Sequence, residues 1–333
     1  MRWLHAALLV LGGTLFAWLV TSVGPEALWR DAARLGWGVV AIIAVEGLGD
    51  FIHTCAWRLC FHREHRPGAL RLWGPHLAGA SINYVTPTAT LGGEVVRGTL
   101  VPRNVPAAEV TSSLAINKLT SALGDTLVAL VGVGVLLFFA PVPHHWRLAA
   151  LAGAVLLVAG VGGFVHVQRK GRLAGLLGRN RGLARLLGEE RAARLAHVTE
   201  EIDARIAAFH ADGVGRLAAS TVLHILGGGM GAVQLFLFLS IVGAPSDPLT
   251  VLSVFVISRA IDLSSFFVPA RLGAQEGARM LAMSLVGIDA ALGLLFSLVL
   301  RLEQVTWAGV GFGAYAAMLW HRKREARALE AVQ

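Results

Sequence analysis

The sequence predicts an all-α polytopic membrane protein, and three observations carry that reading. Hydrophobic residues fill 55% of the 333 positions and charged ones only 15%, where soluble domains carry roughly a quarter charged. Mean hydropathy is +0.65. The apolar residues form long runs of Leu, Val, Ala and Gly instead of the short alternating segments of a membrane β-barrel.

In chain order, residues 4–23 read as the first span; the apolar run is long for a signal peptide and shows no small-x-small cleavage site. Residues 36–57, 106–140, 147–168, 213–243 and 289–320 bring the total to about six full spans. Two further apolar stretches, 68–103 and 248–287, are broken near their centres by proline and glycine. Irregular backbone at membrane depth persists only inside protein or beside water. Both stretches therefore read as re-entrant helical hairpins, with full crossings left open because their first halves are long. The connector 169–212 is the one sizeable polar region. Its Leu195, Val198, Ile202, Ile206 and Phe209 recur at helical spacing, predicting an amphipathic helix that lies on the membrane face or caps the bundle. Residues 321–333 form a basic tail.

There are 29 Lys and Arg against 21 Asp and Glu, a net charge of +8. In a membrane chain this excess points to cytoplasmic loops facing anionic lipid, not to nucleic acid. Arg58, Arg63 and Arg66, the arginines of the connector, and Arg322, Lys323, Arg324 and Arg327 contrast with 244–248, which has none. Both termini are thus expected in the cytoplasm, in a bacterial inner membrane. Cys55 and Cys60 read as free thiols. The chain has no H-E-x-x-H, G-x-S-x-G or P-loop motif, so no catalytic residue, metal site or cofactor is expected. Trp3, Trp37, Trp73, Trp146 and Trp320 read as interfacial anchors, and Gly227, Gly228, Gly229 and Gly231 with Gly309, Gly311 and Gly313 as small-residue helix packing or a flexible point.

An internal repeat relates 36–140 to 213–320. Pro87, Glu94 and Arg97 return as Pro269, Glu276 and Arg279 at a constant offset of 182 residues, and Lys118 returns as Arg301 at 183. The proline ends the first hairpin arm, while Gly92, Gly93 and Gly273 allow close backbone approach at the tip. Glu and Arg three apart share a helix face and pair. Charges so deep in a membrane are expensive and mostly functional, although pairs that merely lock the hairpins remain the alternative. Placed on the predicted topology, the repeats are inverted in the membrane with their tips meeting near the midplane. In the second span Glu46, Asp50 and His53 line one helix face. They read either as a proton relay together with Lys118 and Arg301, or as structural glue pairing with Lys118, Arg259 or Arg301.

Asn83, Pro87, Gly92, Gly93, Glu94 and Arg97, with Pro269, Leu272, Gly273 and Glu276, form a pattern that resembles the flippase-like membrane domain of bacterial lysylphosphatidylglycerol synthases. The resemblance runs over nearly the whole chain, in a stand-alone form without the soluble synthase domain. It implies movement of lipids between leaflets, and some stand-alone forms accompany hopanoid biosynthesis. The expected function is a lipid translocase for an anionic or polyprenyl/hopanoid-type lipid. Its expected partners are membrane lipids and a separate lipid-synthesising enzyme. Arg271, Arg97 and Arg279, beside the helix N-termini after Gly92 and Gly273, are the expected phosphate cradle, with Asn83, Glu94 and Glu276 around it. A membrane-embedded enzyme or accessory scaffold acting on a lipid head group is the alternative.

Overall fold

The computed structural model describes residues 35–85, 91–138, 144–169, 200–209, 211, 214–264 and 274–330, and among these there is no β-strand. The helices are α1 (Gly38–Leu59), α2 (Ala69–Val85), α3 (Leu91–Leu100), α4 (Ala107–Phe138), α5 (His144–Arg169), α6 (Val214–Val242), α7 (Pro248–Ser264), α8 (Ala274–Leu285) and α9 (Ala290–Glu330), with a helical stretch 200–209 before α6. Gly38–Leu59, Ala107–Val135, Val214–Val242 and Ala290–Arg324 are long and apolar enough to cross a membrane. The chain is a multi-pass helical membrane protein. Within α5 the apolar stretch Leu151–Gly163 is shorter than these four. The expected span 4–23 lies outside the described residues.

Two helices run antiparallel at the centre. Gly38 of α1 meets Ile241 of α6, Gly49 meets the Gly227 carbonyl, and Ser220 Oγ donates to the Ala56 carbonyl at 3.1 Å. Small residues let these backbones approach, as expected where helices meet in lipid. Helices α2–α3 and α7–α8 are the broken stretches of the sequence, and the bases of these pairs lie at opposite ends of α1–α6. Leu72, Val101 and Val105 share a core with Trp57, Cys60 and Phe61. Val251, Val254, Ala282 and Met283 share another with Leu35, Val39, Ile42 and Phe238. Each pair also leans on the last helix of the other half, α2 on α9 and α7 on α4. Glycine makes both contacts possible. A Cβ on Gly311 would stand 1.9 Å from Ser81 Oγ, and one on Gly132 only 2.1 Å from the Val256 carbonyl.

The turns at one end follow from local chemistry. α6 and α8 stop at Gly243 (φ 72°) and Gly287 (φ 81°). In each case the next N–H bonds back across the end, Ala244 to Leu239 O and Ile288 to Met283 O, both at 2.9 Å. This is the glycine-terminated helix end that satisfies orphan carbonyls. α7 begins at Pro248 under an Asp247 cap, whose carboxylate accepts the Thr250 N–H at 3.0 Å. At the other end the connector caps the bundle. Ile206 and Phe209 are buried beside Phe61, and buried Glu109 accepts the His62 N–H at 2.6 Å and Arg205 Nη1 at 2.9 Å. Leu195 and Val198 lie outside the described residues. Trp37 and Trp320 are exposed as interfacial anchors should be, but Trp73 is half-buried with its ring edge-on to Phe51 at 5.5 Å.

Candidate functional site

The first hairpin closes through backbone contact. Asn83 Oδ1 accepts the Gly93 N–H at 2.8 Å. A Cβ on Gly93 would sit 2.1 Å from the Gly79 carbonyl and 2.3 Å from the Asn83 side chain. Gly93 and Asn83 therefore fix how closely the arms approach, which in turn sets where the charges of α3 fall. Glu94 and Arg97 pair as the spacing predicted, but loosely, at 3.4 Å. Arg97 is 6% exposed, lies over the Trp57 ring at 5.5 Å, and keeps a buried Nε without a hydrogen-bond partner.

The second hairpin corrects the expected pairing. Glu276 does not pair with Arg279; it accepts Arg301 Nε at 2.9 Å, with Nη2 of the same guanidinium 2.8 Å away but misaligned for donation. Arg279 instead turns to Asp262 at 3.8 Å and donates to the Gln275 carbonyl at 3.1 Å. An arginine has the reach to leave its own helix, and a buried carboxylate on α7 outcompetes the i, i+3 partner. The cations expected as equivalents also differ. Arg301 is buried while Lys118 is exposed, close to Glu94 and Arg97. The two halves come together here, because Tyr84 near the end of α2 lies close to Arg301, Glu276 and Glu303. Arg271 and Gly273, with Pro87, Pro269 and Leu272, lie outside the described residues.

The stripe on α1 finds partners other than those expected. Asp50 faces His76 Nε2 at 3.4 Å, not Lys118, Arg259 or Arg301. Arg259 pairs with Asp125 at 3.2 Å. Glu46 is half-buried, near Asp50 and Arg259. His53 Nδ1 lies 2.9 Å from His224 Nδ1, and His224 Nε2 lies 3.0 Å from Asn117 Oδ1. Because an amide oxygen only accepts, His224 carries its proton on Nε2, and its Nδ1 accepts from His53 Nδ1–H when both rings are neutral. Gly227 makes room for the His53 ring, since a Cβ there would lie 2.9 Å from it. Gln234 donates to the Glu303 carboxylate and, at 3.0 Å, to the Ile42 carbonyl.

His76, Asn117, His224, Gln234, Asp262 and Glu303 were missed in the sequence. Their one signal was a polar side chain inside an apolar run, and it becomes specific only when a partner on another helix is known. No group of three or more metal-ligating side chains occurs among the described residues. The chain belongs to the lysylphosphatidylglycerol synthase TM region family, whose model matches residues 4–313. No curated protein and no solved structure matches it.

Proposed function

We propose that the chain is a lipid translocase that moves an anionic, polyprenyl- or hopanoid-type lipid between leaflets without altering it chemically. Its head group would pass a polar site between the two hairpins while the tails stay in the bilayer. The observation that carries this reading is Arg97, a buried guanidinium with an unpartnered Nε and only a 3.4 Å contact to Glu94. A lipid phosphate offers such a guanidinium two good acceptors, so the loose internal pair exchanges for a tighter one. Arg301, held at 2.8–2.9 Å by Glu276, is not so available.

Hairpin bases at opposite ends of the α1–α6 pair fit re-entrant hairpins in inverted repeats, which present one central site alternately to each side. The ends also differ in charge. One carries Arg58, Arg63, Arg66, Arg216, Arg322 and Lys323 with Glu64; the other, among the described residues, carries Asp247, Asp289 and Arg147 near the start of α5, with no Lys or Arg in 241–252 or 284–294. The basic end is the cytoplasmic one on this reading. Glu46, Asp50 and His53, extended by His76 and His224, are the coupling residues we assign to proton movement.

Purified protein in phosphatidylglycerol vesicles, with a fluorescent head-group-labelled analogue and an external quencher, tests the proposal. Wild type is expected to expose inner-leaflet probe, R97Q to slow exposure at least tenfold, and R97K to recover part of it. An R97Q variant that is folded and flips at the wild-type rate overturns the assignment. Conversion of the lipid to a new species replaces transport by the enzyme reading.

A further inference from the structure

The basic end holds a cavity of about 370 Å³ between the loop after α1, the start of α4, the connector and the start of α6, with His62, Glu64, His65, Glu109, Arg205 and Arg216 in its wall. That size falls within the range of small-ligand sites. The cavity lies among the base contacts of α2–α3, apart from the tips where translocation is placed.

Charge in its neighbourhood is uneven. Glu109 is fully used, one oxygen by the His62 N–H and the other by Arg205. Arg216 has no such acid. Its Nη1 donates to the Phe61 carbonyl at 3.3 Å, and its guanidinium stacks over the Phe209 ring at 4.6 Å. Arg66 shares that same carbonyl at 3.4 Å, and its Nε is buried without a partner. Arg58 likewise donates to a main-chain oxygen, that of Pro67 at 2.9 Å. Three arginines thus hold one another's neighbourhood using only neutral acceptors. The electrostatics agree: burial first, then Arg58, Arg216 and Arg63, hold the Arg66 guanidinium below its ordinary pKa. A guanidinium stacked on an aromatic face keeps its edge free for bidentate contact. Two of them converge on one carbonyl and one of the two keeps a donor without an acceptor, so the pair is short of an anion.

We infer that this cavity is a second anion site, taking the phosphate of a small phosphorylated ligand, whether a soluble phosphate ester or an inner-leaflet phospholipid head group. Arg216 supplies the charge in the wall, with Arg66 behind it on the shared Phe61 carbonyl; His62, His65 and Glu64 complete that side, and the remaining volume accommodates the organic part of the ligand. The inference stands independently of where a lipid crosses the membrane.

Calorimetric titration of the full chain in neutral detergent with inorganic phosphate and with glycerol 3-phosphate tests the soluble source. Native mass spectrometry from nanodiscs containing phosphatidylglycerol, against phosphatidylcholine alone, tests the lipid source. Saturable binding is expected in at least one arm, weakened tenfold or more by R216Q and by R66Q, partly retained by R216K, and unchanged by R324Q on the same end. Loss of one charge-assisted bond is a change of that size. The arm that responds identifies the source. Absence of saturable binding in both arms overturns the inference, as does binding unchanged in the R66Q/R216Q double variant. R216K, which keeps the charge, controls for misfolding: it is expected to melt like wild type and to bind more tightly than R216Q, and a folded R216K that binds no better than R216Q counts against a charge-based anion site. Flip rates measured on the same samples separate failure here from failure of the translocation reading.

Discussion

Replacing Glu276 tests whether the charges near the second tip are a lock or a working part. Arg301 is 5% exposed, and its Nε and Nη2 both lie within 2.9 Å of one Glu276 oxygen. E276L removes that acceptor and leaves a buried guanidinium holding Gln304 at 3.3 Å. Breaking a buried pair from one side costs about 3–5 kcal/mol, and the lower figure applies because the Glu276 side chain keeps 17% of its exposure. A loss of about 3 kcal/mol lowers the folded-to-unfolded ratio by roughly a hundredfold. R301M takes the arginine from a carboxylate that still reaches some water, so its cost is nearer 2 kcal/mol. The double variant E276L/R301M loses both charges together and is expected within about 1 kcal/mol of wild type. Unfolding of all four proteins in mixed detergent micelles, followed by circular dichroism, measures this cycle. Additive losses would refute the ion-pair reasoning, because coupled residues cannot add. Flip assays on the same set then decide the role. A stable double variant that still flips reduces the pair to a lock; a stable one that does not flip makes it part of the site.

Three more expectations follow from the packing. G93A places a Cβ 2.1 Å from the Gly79 carbonyl, so the first hairpin must open, with a loss of about 3 kcal/mol seen as a lower melting temperature. E109A removes the acceptor shared by His62 and Arg205; amide exchange in 200–209 should rise many-fold while exchange in α6 stays unchanged. Bonds from the Thr250 side chain and N–H hold the Asp247 carboxyl below its ordinary value of 3.8, so the cap stabilises the fold above about pH 4 and fades as pH falls through the lowered pKa. The melting-temperature gap between wild type and D247N should accordingly be full at pH 6 and shrink below pH 4.

What the sequence made legible was whatever rests on runs and spacing. The broken stretches 68–103 and 248–287 each hold two helices, α2–α3 and α7–α8, although proline alone does not decide where: α2 runs through Pro75. Glu94 and Arg97 pair because three residues along a helix bring them together regardless of neighbours. Contacts between helices were another matter. Nothing local says that Glu276 reaches Arg301, that Arg279 turns to Asp262, or that His53 meets His224. Each depends on which helix packs alongside, and one apolar face resembles another. Lys118 misled for the same reason: its place in an apolar run suggested burial, whereas the face it occupies is open.

The repeat is kept in its motif and broken in its partners, and the break bears on direction. At the offset of 182, Glu46, Asp50 and His53 correspond to Gly228, Ala232 and Leu235, while Asp262 corresponds to Ala80. Every titratable side chain of the α1 stripe therefore lacks a twin, and so does the acid that takes Arg279. The equivalent arginines consequently differ in partner: Arg97 keeps its own-helix Glu94 at 3.4 Å, whereas Arg279 turns to Asp262 at 3.8 Å and to the Gln275 carbonyl at 3.1 Å. A symmetric pair of hairpins would present the same affinity to both leaflets and equilibrate a lipid without preference. If a head group displaces Glu94 from Arg97, the freed carboxylate must find either a proton or another cation. Lys118, close to Glu94, is the cation the proposed translocase would use to receive it. On the translocase proposal, loading of the site would be tied to a charge movement in the half that carries Glu94 and Arg97. That asymmetry is the least a directional translocator requires, and here it is supplied by neighbours instead of by the repeated motif.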